Sequence, residues 1–322
     1  MKLSEKTNES GLVEEVNRIC GTTNSIYSLK AKIARLNDAL NRYIYLVFCV
    51  DRKGSFDDSN NLTAPIETQT LVTATNSYKF SAFTNEVLNM LRLAVLDGAG
   101  KEVTLKHETL DDINEIGEFA NLYSTDVTGT PTHWTRLGDF IYVRPCPLTG
   151  NFTASGGLRA YVERTNTRFE FIPVTVTIAS PGVFSATAHG LVAGDTVVLE
   201  TDGALPTGLT ADTVQYFVIS TGLTADAFRV SLTLGGTVIN TSGSQSGNHT
   251  FVKTSKQPGI PSIHHPYLAR HASIPFLIEK TLPQLGGVLG QVQLDEESIK
   301  KHFASREKDL QDEVSGTRID AR

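Results

Sequence analysis

Eight histidines, three cysteines and two Asp-Asp pairs are the side chains with most chemistry to offer in this 322-residue chain. Their spacing argues for little of it. His264 and His265 form the one adjacent histidine pair, but consecutive residues of a strand face opposite sides, so a single metal is hard to share. A turn-capping or interface role suits them better. His107 and Asp111 could be imagined as an acid/base pair, although a carboxylate near a histidine is ordinary on a surface. Asp57-Asp58 and Asp111-Asp112 could hold a cation or act as paired carboxylates. Both fall where turns or helix starts are expected, and there aspartate caps the backbone. Cys20, Cys49 and Cys146 make an odd, widely spaced set with no CxxC pair. That argues against a disulfide scaffold or a zinc cluster and fits a reducing compartment. No GxxxxGK[ST] phosphate loop, GxGxxG turn, GxSxG elbow or HExxH helix occurs. The expectation is a protein without catalytic residues, cofactor or metal.

The charge balance narrows the classes further. The net charge is −6 and the isoelectric point near 5.8, so a basic face for gripping nucleic acid is not indicated. Lys300-Lys301 and Arg306 sit among glutamates and aspartates, which cancel most of their field. With 40% hydrophobic and 20% charged residues the chain can build a sizeable core, and its length suggests about two domains. Met1 to Ser10 carries no apolar signal-peptide core. The longest apolar stretch, Tyr43 to Val50, falls well short of the roughly 18–20 residues that span a bilayer.

Charge is also unevenly distributed. Residues 1–60 hold seventeen charged side chains and the last 33 residues hold fourteen, whereas Val174 to Thr254 holds seven, beside fifteen threonines. So abrupt a shift marks a separate module.

The elements follow from periodicity. Ile26, Leu29, Ile33, Leu36, Leu40, Tyr43 and Val47 alternate steps of three and four, which places them on one stripe of a helix. The stripe is either a seam against a neighbouring subunit or the packed face of a helix on its own domain. A shorter helix spans about Ser10 to Ile19, with Gly21 as its stop. Between residues 60 and 172 short strands dominate: Thr68 to Thr75, Leu91 to Leu96, Glu102 to Lys106 and Phe140 to Arg144, with Leu158 to Arg164 expected to pair with the last. Asp97-Gly98-Ala99-Gly100 makes a turn, and Pro145 and Pro147 stop the strand before them. A helix or turn is expected around Leu110 to Phe119. The Thr/Gly-rich module reads as all-β, with strands at Val174–Ile178, Thr196–Glu200, Tyr216–Ile219, Phe228–Leu232 and His249–Val252. Gly-Leu-Thr-Ala-Asp occurs twice, at Gly208–Asp212 and Gly222–Asp226, ahead of a strand each time. Helix returns over Tyr267 to Thr281, where Pro275 should kink it. Pro283 to Gly290 reads as a loop. Asp295-Glu296-Glu297 then opens a charged helix with Ile299, Phe303, Leu310 and Val314 on one face, closed by Gly316. The fold class expected is α+β: helical N- and C-terminal segments around a short-stranded β core formed by residues 1–172 and 255–322, with a small all-β barrel or sandwich inserted at 173–254.

The segment Gly129-Thr-Pro-Thr-His-Trp-Thr-Arg-Leu-Gly138-Asp139-Phe-Ile-Tyr-Val-Arg-Pro145-Cys-Pro147 resembles a pattern in tailed-bacteriophage head–tail adaptor (connector) proteins of the tail tubular protein A type. There a Gly-x-Pro-aromatic stretch leads into Gly-Asp, a strand and Pro-x-Pro. The two-helix entry over Val13 to Val47 and the run Gly259-Ile-Pro-Ser-Ile-His-His-Pro-Tyr-Leu-Ala269 are similar to other parts of the same family. Within the module, Ala186-Thr-Ala-His189-Gly190-Leu and Gly194-Asp-Thr-Val197 resemble a small β module grafted onto many phage virion proteins, where His189 and Gly190 would be structural turn residues.

The resemblance implies a non-enzymatic ring in the virion neck, synthesised in the host cytoplasm, of about twelve copies joined by heterologous contacts. Its partners would be the portal protein, neighbouring adaptor subunits and a downstream tail or nozzle protein. Genomic double-stranded DNA would pass without tight binding. On that reading the Ile26–Val47 stripe and the Asp295–Val314 helix are the interface candidates. Two other classes fit the residues less well: a tail-tube, baseplate or receptor-binding protein, suggested by the β module alone, and a glycan hydrolase or lyase. Trp134 is the only tryptophan and lies outside the module, which weakens the last.

Overall fold

Ser28 accepts a hydrogen bond from the amide of Ala31 and so caps a helix that the apolar stripe then drives into the core. In the computed structural model, which describes residues 1–50, 64–84, 87–109, 127–164 and 168–315 (side chains to 304), this is α2, Leu29–Phe48. Before it, α1 spans Leu12–Cys20 and ends at Gly21, whose φ of +60° forms the expected left-handed stop. After the module come α3, His265–Glu279, with Pro275 inside it, and α4, Leu285–Ser315.

The chain is mixed α/β and divides into two compact units, Met1–Arg52 with Asn166–Arg322, and Lys53–Thr165. The division falls at different places from the expected boundaries at 172 and 255, because the Thr/Gly-rich module is tied to the N-terminal segment. The Leu3 amide donates to the Lys256 carbonyl at 2.8 Å and the Ser4 amide to that of Thr254 at 3.2 Å. Leu3 and Ser4 are buried in consequence.

The module is a seven-stranded sheet in the order Ala227–Phe228, Phe184–Ser185, Phe171–Val176, His249–Lys253, Thr196–Thr201, Gln215–Val218, Val230–Ser231. The two edge strands flank the single residue Arg229, so the sheet nearly closes on itself and leaves little free edge. Val174, Val176, Phe184, Val197, Leu199, Tyr216, Phe228 and Phe251 fill its interior. The two Gly-Leu-Thr-Ala-Asp turns lay Leu209 and Leu223 against that core. Gly208 sits at φ +105°, and a Cβ there would lie 2.4 Å from the Asn240 carbonyl oxygen. Gly208→Ala is therefore expected to destabilise the module by about 2–3 kcal/mol. Gly235→Ala, at φ +67° with open space around it, should cost about 1 kcal/mol. Thermal denaturation followed by circular dichroism compares the two.

The second unit holds two four-stranded sheets. One runs Ile66–Gln69, Leu158–Arg164, Val87–Leu96, Glu102–Thr104, and the other Ser77–Lys79, Phe140–Arg144, His133–Leu137, Lys106–His107. Leu71, Tyr78, Leu93, Val95, Ile141, Val143, Leu158 and Val162 form their common core. The Asp97–Gly100 turn joins its two strands as expected, with the Gly100 amide donating to Asp97 at 2.9 Å. Leu158–Arg164 does not pair with Phe140–Arg144: it lies between Ile66–Gln69 and Val87–Leu96, since all of its alternate apolar residues face the first sheet's core. The strand expected at Thr68–Thr75 is shorter and earlier, Ile66–Gln69. The region Leu110 to Phe119, Asp57-Asp58 and Asp111-Asp112 lie outside the described residues. Among the described residues no helix is long and apolar enough to cross a membrane.

Candidate assembly surfaces

The expected interface stripe is the place to begin. Leu29, Ile33, Leu36, Leu40, Tyr43 and Val47 are each at most 2% exposed, packed where α2 meets α3 and α4. These side chains are used within the chain and offer nothing to a neighbouring subunit. Ile26 does not belong to the stripe: it precedes the Ser28 cap, in the turn whose Ile26 and Tyr27 amides bond back to the Thr23 carbonyl, and it is 67% exposed. A helix that starts at its cap, rather than at the first residue of the right period, accounts for the difference. Ile299 and Phe303 are also fully buried. Leu310 lies in α4, its side chain outside the described residues, as is Gly316.

α4 begins ten residues before Asp295 and takes in most of the expected Pro283–Gly290 loop. Its glycines Gly286, Gly287 and Gly290 have low helix propensity, yet the helix runs through them. Val292, Ile299 and Phe303 point into the bundle. Two ion pairs fasten the same face. Arg42 of α2 holds Glu296 through both carboxylate oxygens at 2.9 Å, and Arg270 of α3 holds Asp295 at 2.6 Å. Arg42 keeps the Glu296 carboxyl below its ordinary range. On the opposite face stand Leu294, 60% exposed, and the three glycines, which have open space where a Cβ would stand. Leu289, 40% exposed, lies one heptad before Glu296 and so on the docked side. One helix thus carries a docked face and a free face that includes Leu294.

The aromatic centre of the bundle draws on residues from three elements. The Tyr43 ring meets His264, Tyr267 and Phe303 at 5.7, 6.4 and 6.2 Å. His264 and His265, adjacent in sequence, face different partners. His264 Nε2 shares a hydrogen bond with His302 Nδ1 at 3.0 Å. His265 Nε2 donates to the Ile260 carbonyl at 2.9 Å, leaving Nδ1 to accept from the Met1 amine. The sequence could not pair His264 with a residue 38 positions away on a helix read as a surface strip.

In the second unit, Gly138-Asp139 turns the hairpin His133–Leu137/Phe140–Arg144, with Gly138 at φ +58°. Asp139 accepts from both the amide and the hydroxyl of Ser81, at 2.9 and 2.6 Å, which holds its carboxyl below the usual range. Pro145 ends the strand through a cis Arg144–Pro145 bond. Pro147 stops nothing further: Cys146–Pro147 pairs in parallel with Thr128–Gly129. The His107 ring lies tilted against Trp134, with centroids 4.4 Å apart, and Asp111 lies outside the described residues. Val87–Leu96 pairs with Leu158–Arg164 through two register shifts, at which Leu91 and Leu88 are passed over. These two leucines are 51% and 38% exposed, while Leu93, Ala94 and Val95 are fully buried. β-Bulges push such side chains out of the pleat.

In the module, His189 accepts from the Leu191 amide at 3.0 Å through Nδ1, with its ring edge-on to Phe228 at 5.1 Å. Gly190 follows at φ +62°, so both act in the turn. Val192, Leu232 and Leu234 are 60–69% exposed, and Leu234 lies beside Gly194. No group of three or more metal-ligating side chains converges among the described residues.

No protein-family model matches this chain, and no curated protein sequence matches it.

Proposed function

We propose that this protein is a structural subunit of a tailed-phage neck: an adaptor ring docked under the portal, extending the DNA exit channel and joining capsid to tail. The two-faced helix α4 is the observation that carries the assembly role. One face is anchored by Val292, Ile299 and Phe303, and the other leaves Leu294 and three glycines free for a partner. A ring subunit needs such a face, because a heterologous contact sets one surface against a different surface of the next copy. The neck assignment rests on the order of the resembling segments and on the Gly138-Asp139 hairpin followed by Pro145. The −6 charge suits a channel wall past which DNA slides, since tight binding draws on phosphate contacts from Lys and Arg.

The buried anchors change how this is tested. Removing 295–322 would strip Glu296, Ile299 and Phe303 from the bundle, so the informative truncation removes 305–322. Likewise, excision of the module must spare Thr254 to Lys256, which pair with the N-terminal segment. The variant Leu294→Glu is expected to leave the monomer folded and to reduce co-sedimentation with portal rings at least tenfold. The same protein should lose its concentration-dependent ring formation in sedimentation velocity. Wild-type protein that stays monomeric and ignores portal rings would overturn the proposal.

A further inference from the structure

The module strand Phe171–Val176 changes partner part-way along its length. Residues 171–174 pair with His249–Lys253, whereas Thr175 and Val176 pair with Phe184–Ser185. The two neighbours part at that point, and a cleft of about 580 Å³ lies in the fork, walled by residues 173–176, 185–187 and 245–250. Its volume falls in the range of small-ligand sites. Val174, Val176, Ala186 and Phe251 turn into the core of the module, which leaves the alternate side chains to the outer face. Among these, Thr175, Ser185, Thr187 and Thr250 make no side-chain hydrogen bond to any described residue. No Lys, Arg, Asp or Glu lines the cleft. Asp202, bonded to Asn248 of the wall without lining the cleft itself, already accepts from both the backbone and the side-chain amide of that residue.

We propose that this cleft is a binding site for a neutral oligosaccharide. The class of ligand follows by exclusion, and it does not depend on the neck assignment. An ionic ligand would find no countercharge, and removing it from water would be costly. An apolar ligand would strip water from four hydroxyls and return no hydrogen bond. A peptide strand needs a free sheet edge, and the walls are already engaged. The Val176 carbonyl accepts from the Gln245 side-chain amide at 2.8 Å, which stands in for a strand partner, and the backbone of Ser246 is paired with that of Ala204. Sugar hydroxyls both donate and accept, as the four side-chain hydroxyls do, and the exposed Pro173 ring offers an apolar contact to the C–H face of a pyranose. With no carboxylate among its lining residues the cleft lacks the acid and base of glycoside hydrolysis, so its role is binding alone.

Saturation-transfer difference NMR on the full-length protein tests this. The probes are maltohexaose, cellohexaose, mannohexaose and N-acetylchitohexaose, with an oligogalacturonate of the same length as the acidic counterpart. At least one neutral probe is expected to receive saturation, and the acidic one none. The variant Thr175→Val/Ser185→Ala/Thr187→Val, altered at three exposed positions, should keep its circular dichroism and bind that probe about tenfold more weakly, as the loss of two ordinary hydrogen bonds implies. Silence from all four neutral probes, an undiminished signal in the variant, or a preference for the acidic probe overturns the proposal. Displacement of the glycan by an uncharged Ser/Gly peptide does the same, since the cleft would then be a peptide site. Should the triple variant fail to fold, Thr175→Val alone decides: valine suits an exposed strand position, and an unchanged affinity sinks the site.

Discussion

Replacing Phe303 by alanine should detach the middle of α4 and lower the stability of the helical bundle by about 3–5 kcal/mol, the usual range for a buried ring lost from a core. The side chain is 0% exposed and meets Tyr43 edge-on, with the ring planes at 78°. Such pairs contribute about 0.5–1.5 kcal/mol beyond the area they bury. The cavity left would open onto Tyr43 and His264, and neither can move to fill it cheaply. Tyr43 is fixed between α3 and α4, and His264 is bonded to His302. Urea unfolding followed by far-UV circular dichroism gives the loss, and hydrogen exchange across 285–304 gives its location. Leu294→Ala is the control: at 60% exposure it should change the stability of the monomer by less than about 0.5 kcal/mol. Equal effects of the two substitutions would mean that α4 is not anchored through Phe303.

That contrast between Phe303 and Leu294 shows how far the sequence could be read. Periodicity located α1, α2 and α3, and named Ile299 and Phe303 as one face of a helix. It could not say what the face touched, because the Arg42–Glu296 and His264–His302 contacts join residues 254 and 38 positions apart. Alternation placed most of the module's strands to within a few residues, since alternation and glycine turns are local signals. Pairing partners are not local, and Leu158–Arg164 was assigned the wrong neighbour for that reason. The start of α4 was hidden by Gly286, Gly287 and Gly290, whose helix propensity is weak although the helix runs through them. Met1 to Ser10 was read only as polar, although Leu3 and Ser4 are buried through backbone bonds that no side-chain pattern records. The interface stripe failed as an interface through success as a core: apolar spacing announces burial without saying which molecule provides it.

Lys32 lies off the apolar stripe of α2, yet it is 0% exposed, and its removal should rank beside that of Phe303. Its ammonium donates to the Asn24 amide oxygen at 2.7 Å and to that of Asn17, and it lies 5.3 Å from the Tyr27 ring centre. Asn17 belongs to α1 and Asn24 to the following turn. Asn24 also donates to the Asp212 carbonyl at 3.1 Å, so one cation ties α1, α2 and the module. Lys32→Ala would leave two half-buried acceptors without their donor and a cavity behind them, a loss of about 2–3 kcal/mol. Lys32→Met keeps the volume and should lose about half as much. Burial also pushes the Lys32 ammonium down to about 8, whereas in the unfolded chain it stays near 10.4. The unfolded state therefore binds more protons between those values, and the contribution of Lys32 to stability rises as pH increases from 8 toward 10. Cys20 and Tyr27, both pushed up by burial, act in the opposite direction toward the alkaline end. The difference between wild type and Lys32→Met removes most of their contribution. Measured by urea unfolding at pH 7, 8 and 9.5, that difference should widen only slightly in favour of the wild type between the first two and several times more between the second and the third. A gap that stays the same at all three would mean that the ammonium keeps its ordinary proton affinity, and that the two asparagine oxygens fully replace the water it gave up.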